Sequence, residues 1–294
     1  MKKKLKRIFA LLAFSVVAST TLLAQMTTYT LPPRKFDVSY LSGSGVGIPG
    51  AASTQHIVSN GAYDASNNLL FYITNKTIYT SNSTAVATLP SFYIDGNPNN
   101  QDCSNAFTNI GPEISIVPVP GACQKYYVIY SVGNCSASAA TYLAAQIMYV
   151  TVDCSSGTPS MSGAVRIDQT GGGIAVTKLI GGSYRFLFTF GAIQYQINRY
   201  IITSTGISFS AIALYTSNYP SAFDSNGPIN ELEISPNGQY LAWGNIATGK
   251  KVKVVTFNSN YAIVGAVGYG SFDNIKGVEF DATSSRLFVS SSTG

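Results

Sequence analysis

Glu231 and Glu233 stand two apart in ELEIS, and Glu279 takes the place of Glu233 in a later stretch, VEFDATSSRLFV. Side chains of an extended strand alternate between its faces, so Glu231 and Glu233 share one. If such strands lie innermost in a ring, Glu233 and Glu279 approach a central channel from neighbouring units, with Glu113 joining from an earlier one. Converging carboxylate oxygens are what calcium takes as ligands, so these three are the candidate metal residues. The plainer reading of the same glutamates is a strand carboxylate hydrogen-bonded to neighbouring backbone. Other chemistry finds little footing, and no residue is assigned a catalytic role. His56 is the only histidine and reads as a strand residue. No GxSxG follows residue 24, which removes the usual serine nucleophile. GSGVG at 43–47 and GGG at 171–173 do not lie between a strand and a helix, so they read as turns rather than phosphate loops.

The elements that position those glutamates come from a repeat. In ELEISPNGQYLAWGN, residues 231–245, LEI is a short strand, SPNG a tight turn and QYLAW the returning strand. Proline pre-sets the first turn angle and Asn-Gly tolerates positive φ. Aligned on Leu241, further copies place Leu70 in GAYDASNNLLFY, Tyr127 in VPVPGACQKYYVIY, Phe186 in VTKLIGGSYRFLFTF and Leu287 in KGVEFDATSSRLFV. Two more strand signals follow the third and fourth copies: IQYQINRYIIT with GISFSAIAL, and KVKVVTF with YAIVGAV. Units of this length, each giving four short strands, mark an all-β chain built as a β-propeller of four-stranded blades. A β-sandwich is the other architecture that short, closely spaced strands suit. The chain stops at VSSSTG, after the second strand of the fifth copy, so the expectation is a last blade truncated at the C-terminus and a ring completed by sequence beyond it. The 19 tyrosines, 15 phenylalanines and Trp243 fall mostly in strand motifs such as FLFTF and YYVIY, as core packing rather than sugar platforms.

The N-terminus has a different character. MKKKLKR is a basic segment, IFALLAFSVVA an apolar one, and STTLLA leads to a cut between Ala24 and Gln25. That is the layout of a secretory signal peptide, and the apolar part falls short of the ~20 residues of a spanning helix. The expected organisation is signal peptide 1–24, a lead-in segment 25–52, and a propeller domain 53–294. Five of the 18 lysines and arginines leave with the signal and none of the 13 acids do, so 13 of each sign remain. A mature chain of zero formal charge gives no argument for nucleic acid or an anionic membrane; no nucleic-acid partner and no transmembrane span are expected of it. The one basic run, KKVKVV from Lys250, alternates lysine with valine as the solvent face of a strand does.

In an exported chain an even number of cysteines reads as disulfides. Strand 126–132 should run antiparallel to 144–152, with Cys123 and Cys154 flanking the same end of that hairpin. Cys135 sits at the other end, within reach of Cys103. The expected bridges are therefore Cys123–Cys154 and Cys103–Cys135. Free thiols or a zinc site are the alternative, one that lacks CxxC pairs and ligand histidines.

Taken in order, the export signal, NGAYDASNNLLFYI, GPEISIVPVPGACQKYYVIYS, NELEISPNGQYLAWGN and IKGVEFDATSSRLFVSS resemble the secreted lactonase-like or YVTN-type propeller proteins of gliding bacteria. The resemblance covers roughly residues 55–294. It implies a secreted or outer-surface location, in proteins whose propeller precedes adhesion modules and a sorting domain for type IX secretion. The expected function is an extracellular, non-enzymatic propeller acting as a binding, adhesion or scaffold module, with a protein or glycan at the cell surface as partner and no cofactor beyond the calcium candidate. The alternative is a lactonase- or lyase-like enzyme using channel carboxylates and a divalent cation.

Overall fold

A computed structural model describes residues 28–31, 34–37, 46–47, 59–66, 68–74, 76–90, 113–132, 145–170, 173–190, 196–215, 229–245, 250–273 and 275–291. The signal peptide with Ala24 and Gln25, together with His56, Cys103 and Cys135, lies outside them.

Among the described residues there is no helix, and every strand pairing is antiparallel. Sheet I is a meander of β1 (Thr28–Leu31), β2 (Arg34–Asp37) and β3 (Val46–Gly47). It falls within the segment expected as a lead-in. Sheet II runs β4 (Ser59–Tyr63), β5 (Leu69–Thr74), β6 (Thr77–Thr80) and β7 (Ala85–Thr88). Sheet III runs β8 (Ile114–Pro118), β9 (Lys125–Val132), β10 (Ala145–Asp153) and β11 (Ser160–Met161), and β12 (Val165–Thr170) also pairs with β10. Sheet IV holds β13 (Ile174–Val176), β14 (Arg185–Phe190), β15 (Gln196–Thr203) and β16 (Gly206–Tyr215). Sheet V holds β17 (Ile229–Ile234), β18 (Tyr240–Asn245), β19 (Lys250–Phe257) and β20 (Ile263–Phe272), and sheet VI is the hairpin of β21 (Ile275–Phe280) and β22 (Leu287–Ser291).

The first strands of successive sheets are neighbours: β4 lies beside β8, β8 beside β13, β13 beside β17 and β17 beside β21. The core is divided accordingly. Phe71 and Ile73 of sheet II pack with Val128, Met148 and Val150 of sheet III. Ile129 and Ile147 on the other side of sheet III pack with Leu187 and Ile202 of sheet IV. Phe188 and Ile197 of sheet IV meet Leu241, Trp243 and Val255 of sheet V. Ala242 and Val252 then meet Ile275 and Val278 of sheet VI. Four-stranded meanders stacked face to face, first strands innermost, are the blades of a β-propeller.

One backbone bond recurs at every inner hairpin. The N–H of the residue following the first strand donates across the turn: Asp64 to Asn68 O (3.0 Å), Val119 to Lys125 O (2.9 Å), Thr177 to Phe186 O (2.9 Å), Ser235 to Tyr240 O (2.9 Å) and Asp281 to Arg286 O (3.0 Å). Four of the five residues add a side-chain acceptor. Asp64 Oδ1 takes the N–H of Ser66 and Asn68, Thr177 Oγ1 that of Phe186, Ser235 Oγ that of Tyr240, and Asp281 Oδ1 those of Ser285 and Arg286. These are local side-chain-to-backbone turns of the Asx and Ser/Thr kind. They correct the alignment on Leu241. The residues that follow the acceptor carbonyl are Leu69, Tyr126, Leu187, Leu241 and Leu287, so three of the five copies slip by one. Tyr127 accordingly packs against sheet IV and Phe186 against sheet V, the following sheet in each case, whereas Leu241 packs against the preceding one.

The same one-residue slip undoes the predicted Cys123–Cys154 bridge. In the observed register Asp153 pairs with Lys125, and the Cys154 N–H donates to Gln124 O at 2.8 Å. Cys154 thus stands opposite Gln124. It is buried between sheets II and III while Cys123 is exposed, and both thiols are free. Burial pushes the Cys154 thiol up to about 11.

Two outcomes follow from this packing. A Cβ on Gly244 of β18 would collide with the Ile275 side chain, so Gly244→Ala overpacks the contact between sheets V and VI. It should lower stability by about 1–3 kcal/mol in thermal or urea unfolding, whereas Gly163→Ala, with open space around it, should not. The Thr283 hydroxyl first, then the turn N–H groups, hold the Asp281 carboxyl down at about 2 from its ordinary 3.8. A depressed carboxyl contributes stability above its ordinary value that is lost as pH falls through the lower one. An acid titration of stability should therefore show a loss between about pH 4 and 2 that Asp281→Asn diminishes.

Candidate functional site

A pocket of about 400 Å3 lies at the inner ends of four sheets, lined by Asn60 from β4, Glu113 to Ser115 at β8, Ile174 to Val176 with Lys178 at β13, and Glu233 to Pro236 at β17. Antiparallel meanders that radiate from a common centre leave their first strands there, which is why residues far apart in sequence share one wall. Glu113 and Glu233 are brought to this cavity, as the repeat predicts. Glu279 does hold the place of Glu233, since Glu233 pairs with Ala242 and Glu279 with Phe288 in matching register. Its side chain, however, is exposed on sheet VI and is not part of the cavity wall. The side chain of Glu231 lies outside the described residues.

The calcium set Glu233, Glu279 and Glu113 is therefore not assembled. Among the described residues no three histidine, cysteine, aspartate or glutamate side chains come together as a metal-holding group. Glu113 has a structural task instead. Its Oε2 accepts the N–H of Ile174 on the next sheet at 2.6 Å, while its own N–H donates to Ser131 Oγ at 3.0 Å. A carboxylate accepting a backbone N–H makes a charge-assisted bond, roughly twice as strong as a neutral one. On the other side, Asn60 Nδ2 donates to Ile114 O at 2.9 Å. Sheets II, III and IV are thus strapped to one another at their inner ends by the polar side chains that line the cavity. The plainer reading of Glu113, a strand carboxylate bonded to neighbouring backbone, is the one the geometry bears out.

The wall also carries Glu233, Lys178 and the Ser115 hydroxyl, with Ser235 turned into its own hairpin. Ser235 Oγ donates to Asn237 Oδ1 at 2.7 Å and accepts the Tyr240 N–H at 2.9 Å, which leaves it no role as a nucleophile. A carboxylate and an ammonium on one cavity suit a small ligand carrying both signs, or an acid and a base. Sequence reasoning missed Lys178 and Asn60. Lys178 directly follows the turn residue Thr177, and a lysine in a turn has no pattern that separates it from ordinary surface. Asn60 precedes a glycine, a pairing that reads as a turn although here it lies within an inner strand.

No protein-family model matches the chain, and no curated protein matches it in sequence. Solved structures do. A candidate 6-phosphogluconolactonase of Bacteroides uniformis is 14% identical over 79% of this chain and 69% of its own, with a TM-score of 0.45. A candidate 6-phosphogluconolactonase of Bacteroides fragilis is 11% identical over the same shares, with a TM-score of 0.48. A gluconolactonase of Xanthomonas campestris is 13% identical over 79% of this chain and 68% of its own, with a TM-score of 0.40. At such identities no residue role passes from them to this chain.

The strap is open to a direct test. Glu113→Ala leaves the Ile174 N–H without this acceptor and should cost about 1–3 kcal/mol in urea unfolding. Glu279→Ala, at an exposed position, should stay within about 0.5 kcal/mol of the parent. Equal effects of the two substitutions would remove the strap.

Proposed function

We propose that this chain is an extracellular, non-enzymatic β-propeller that serves as a binding, adhesion or scaffold module, with a protein or glycan at the cell surface as its partner. The observation that carries the reading is the use made of the cavity polar groups: Asn60 and Glu113 hold the sheets to one another. Groups committed to inter-sheet bonds give a rigid disc, and a rigid disc presents its loops for recognition. Large apolar side chains left exposed on outer strands agree with a contact surface, among them Phe209 of β16 and Val264, Val267 and Tyr269 of β20. The signal-peptide layout and the resemblance to secreted propellers support export, and Gln25 is then the first residue of the mature chain.

A second reading rests on Glu233 and Lys178 facing one cavity. It makes the chain a lactonase- or lyase-like enzyme with Glu233 as the proton-transferring carboxylate; the divalent ion expected of such an enzyme finds no three-ligand group among the described residues.

One set of measurements on the mature chain separates them. The binding module should show no shift in Tm on adding calcium or a chelator. It should hydrolyse gluconolactone no faster than buffer, and it should retain glycans or surface proteins in an array at a site unaffected by Glu233→Gln. Lactone hydrolysis that Glu233→Gln abolishes would replace it with the enzyme. N-terminal sequencing of the exported protein should start at Gln25.

A further inference from the structure

Away from the central cavity, sheets III and IV are joined by a second polar cluster whose hydrogen bonds have a fixed direction. Asp168 Oδ2 on β12 accepts from the Tyr200 hydroxyl and from Asn198 Nδ2, the latter at 2.7 Å. Behind Asn198, Gln196 Nε2 donates to Asn198 Oδ1 at 3.0 Å. Asn198, Tyr200 and Gln196 are alternate residues of β15 and share one face. An ionised carboxylate only accepts, and that dictates every orientation behind it. Asn198 must turn its amino group to Asp168 and its carbonyl to Gln196. Gln196 must then turn its amino group to Asn198, and its own carbonyl oxygen is left at the end of the relay.

That last acceptor is buried. Gln196 is 8% exposed, and among the described residues no donor reaches its Oε1. Thr189 pairs with Asn198 across β14 and β15, so it lies on the same face and diagonal to Gln196. Its side chain is fully buried, its hydroxyl lies close enough to Tyr200 to act on the phenol, and among the described residues no partner meets hydrogen-bond geometry with its Oγ1. Tyr200 cannot reverse the relay: burial first, and then the bond to Asp168, push its phenol far above the ordinary value, so it stays a donor. Buried polar atoms in folded proteins almost always find a partner, and ordered water is the usual one where protein supplies none.

We propose that an internal water molecule is bound between sheets III and IV, donating a hydrogen bond to Gln196 Oε1 and sharing a second bond with Thr189 Oγ1. Water suits the pair because it donates to the amide oxygen and can either accept from or donate to the hydroxyl. A calcium ion would call for six to eight oxygens, more than the two atoms offer. The bound water then completes the relay from Asp168 and becomes part of the joint between two blades.

The test is an atomic-resolution crystal structure of the mature chain, together with water-oxygen magnetic relaxation dispersion on the parent and on Gln196→Met. The expected result is an ordered oxygen within about 3 Å of both atoms and the loss of a long-lived water in Gln196→Met. The proposal is overturned if a protein donor or no density sits at Oε1. It is equally overturned if Gln196→Met keeps the full set of long-lived waters. Should Gln196→Met fail to fold, the density in the parent crystal decides alone.

Discussion

A sheet of short strands that is apolar on both faces has no side to turn to water. Phe71, Ile129, Ile147, Leu187, Phe188 and Trp243 are all buried to 2% exposure or less, and they are divided among interfaces rather than gathered in one centre. Each sheet can satisfy one face only by lying against the sheet before it and the other by lying against the sheet after it. Burying such side chains is worth roughly 1.5–3 kcal/mol apiece, so no sheet in the interior of the array is stable without both neighbours. Everything else in the molecule is arranged along these interfaces.

Tyrosine joins the isoleucines, valines and phenylalanines of these interfaces because it brings a large apolar body with a polar tip. Tyr126 packs edge-on against Phe71 with ring centres 5.5 Å apart and sends its hydroxyl to Tyr63 O. Tyr127 reaches Thr203 O on sheet IV, and Tyr130 reaches Pro90 O beyond sheet II. Arg199 does similar work between sheets IV and V, lying 4.6 Å from the centre of the Phe186 ring while bonding to Tyr261 O. Backbone carbonyls at sheet rims, which would otherwise depend on solvent, are satisfied by the neighbour. Glu113 at the inner end is one more member of this class, its carboxylate answering the Ile174 N–H.

The strands and turns were legible because period-two alternation and Gly, Pro, Asn and Asp turns act locally. YYVIY, FLFTF and KVKVVTF are strands in the structure as in the sequence. What could not be read was parity. The spans closed by the recurring hairpin bond run from Asp64 to Asn68 in one sheet and from Thr177 to Phe186 in another. An alignment on one leucine therefore lands on the correct face in some copies and the opposite face in others. The expected Cys123–Cys154 facing was off for the same reason, since a single residue of register decides which side chains face each other, and the Cys103–Cys135 pair lies outside the described residues. The role of Glu113 was out of reach for another cause: its partner, Ile174, is 61 residues away, and a sequence does not say which backbone N–H a carboxylate will meet.

The recurring bond also bears on how such a chain changes over generations. It closes turns of very different length with the same donor position and nearly the same distance. A hairpin tied at its neck transmits little of what happens at its tip, so residues can be gained or lost there without disturbing the stacked faces behind it. Each hairpin is then an independently editable module. Drift in loop length costs the array almost nothing, while drift by a single residue inside a strand inverts an entire face. Homologues of such a chain should diverge by insertion at the rims and stay constant in strand length, a pattern that hides kinship from sequence comparison long before the architecture is lost.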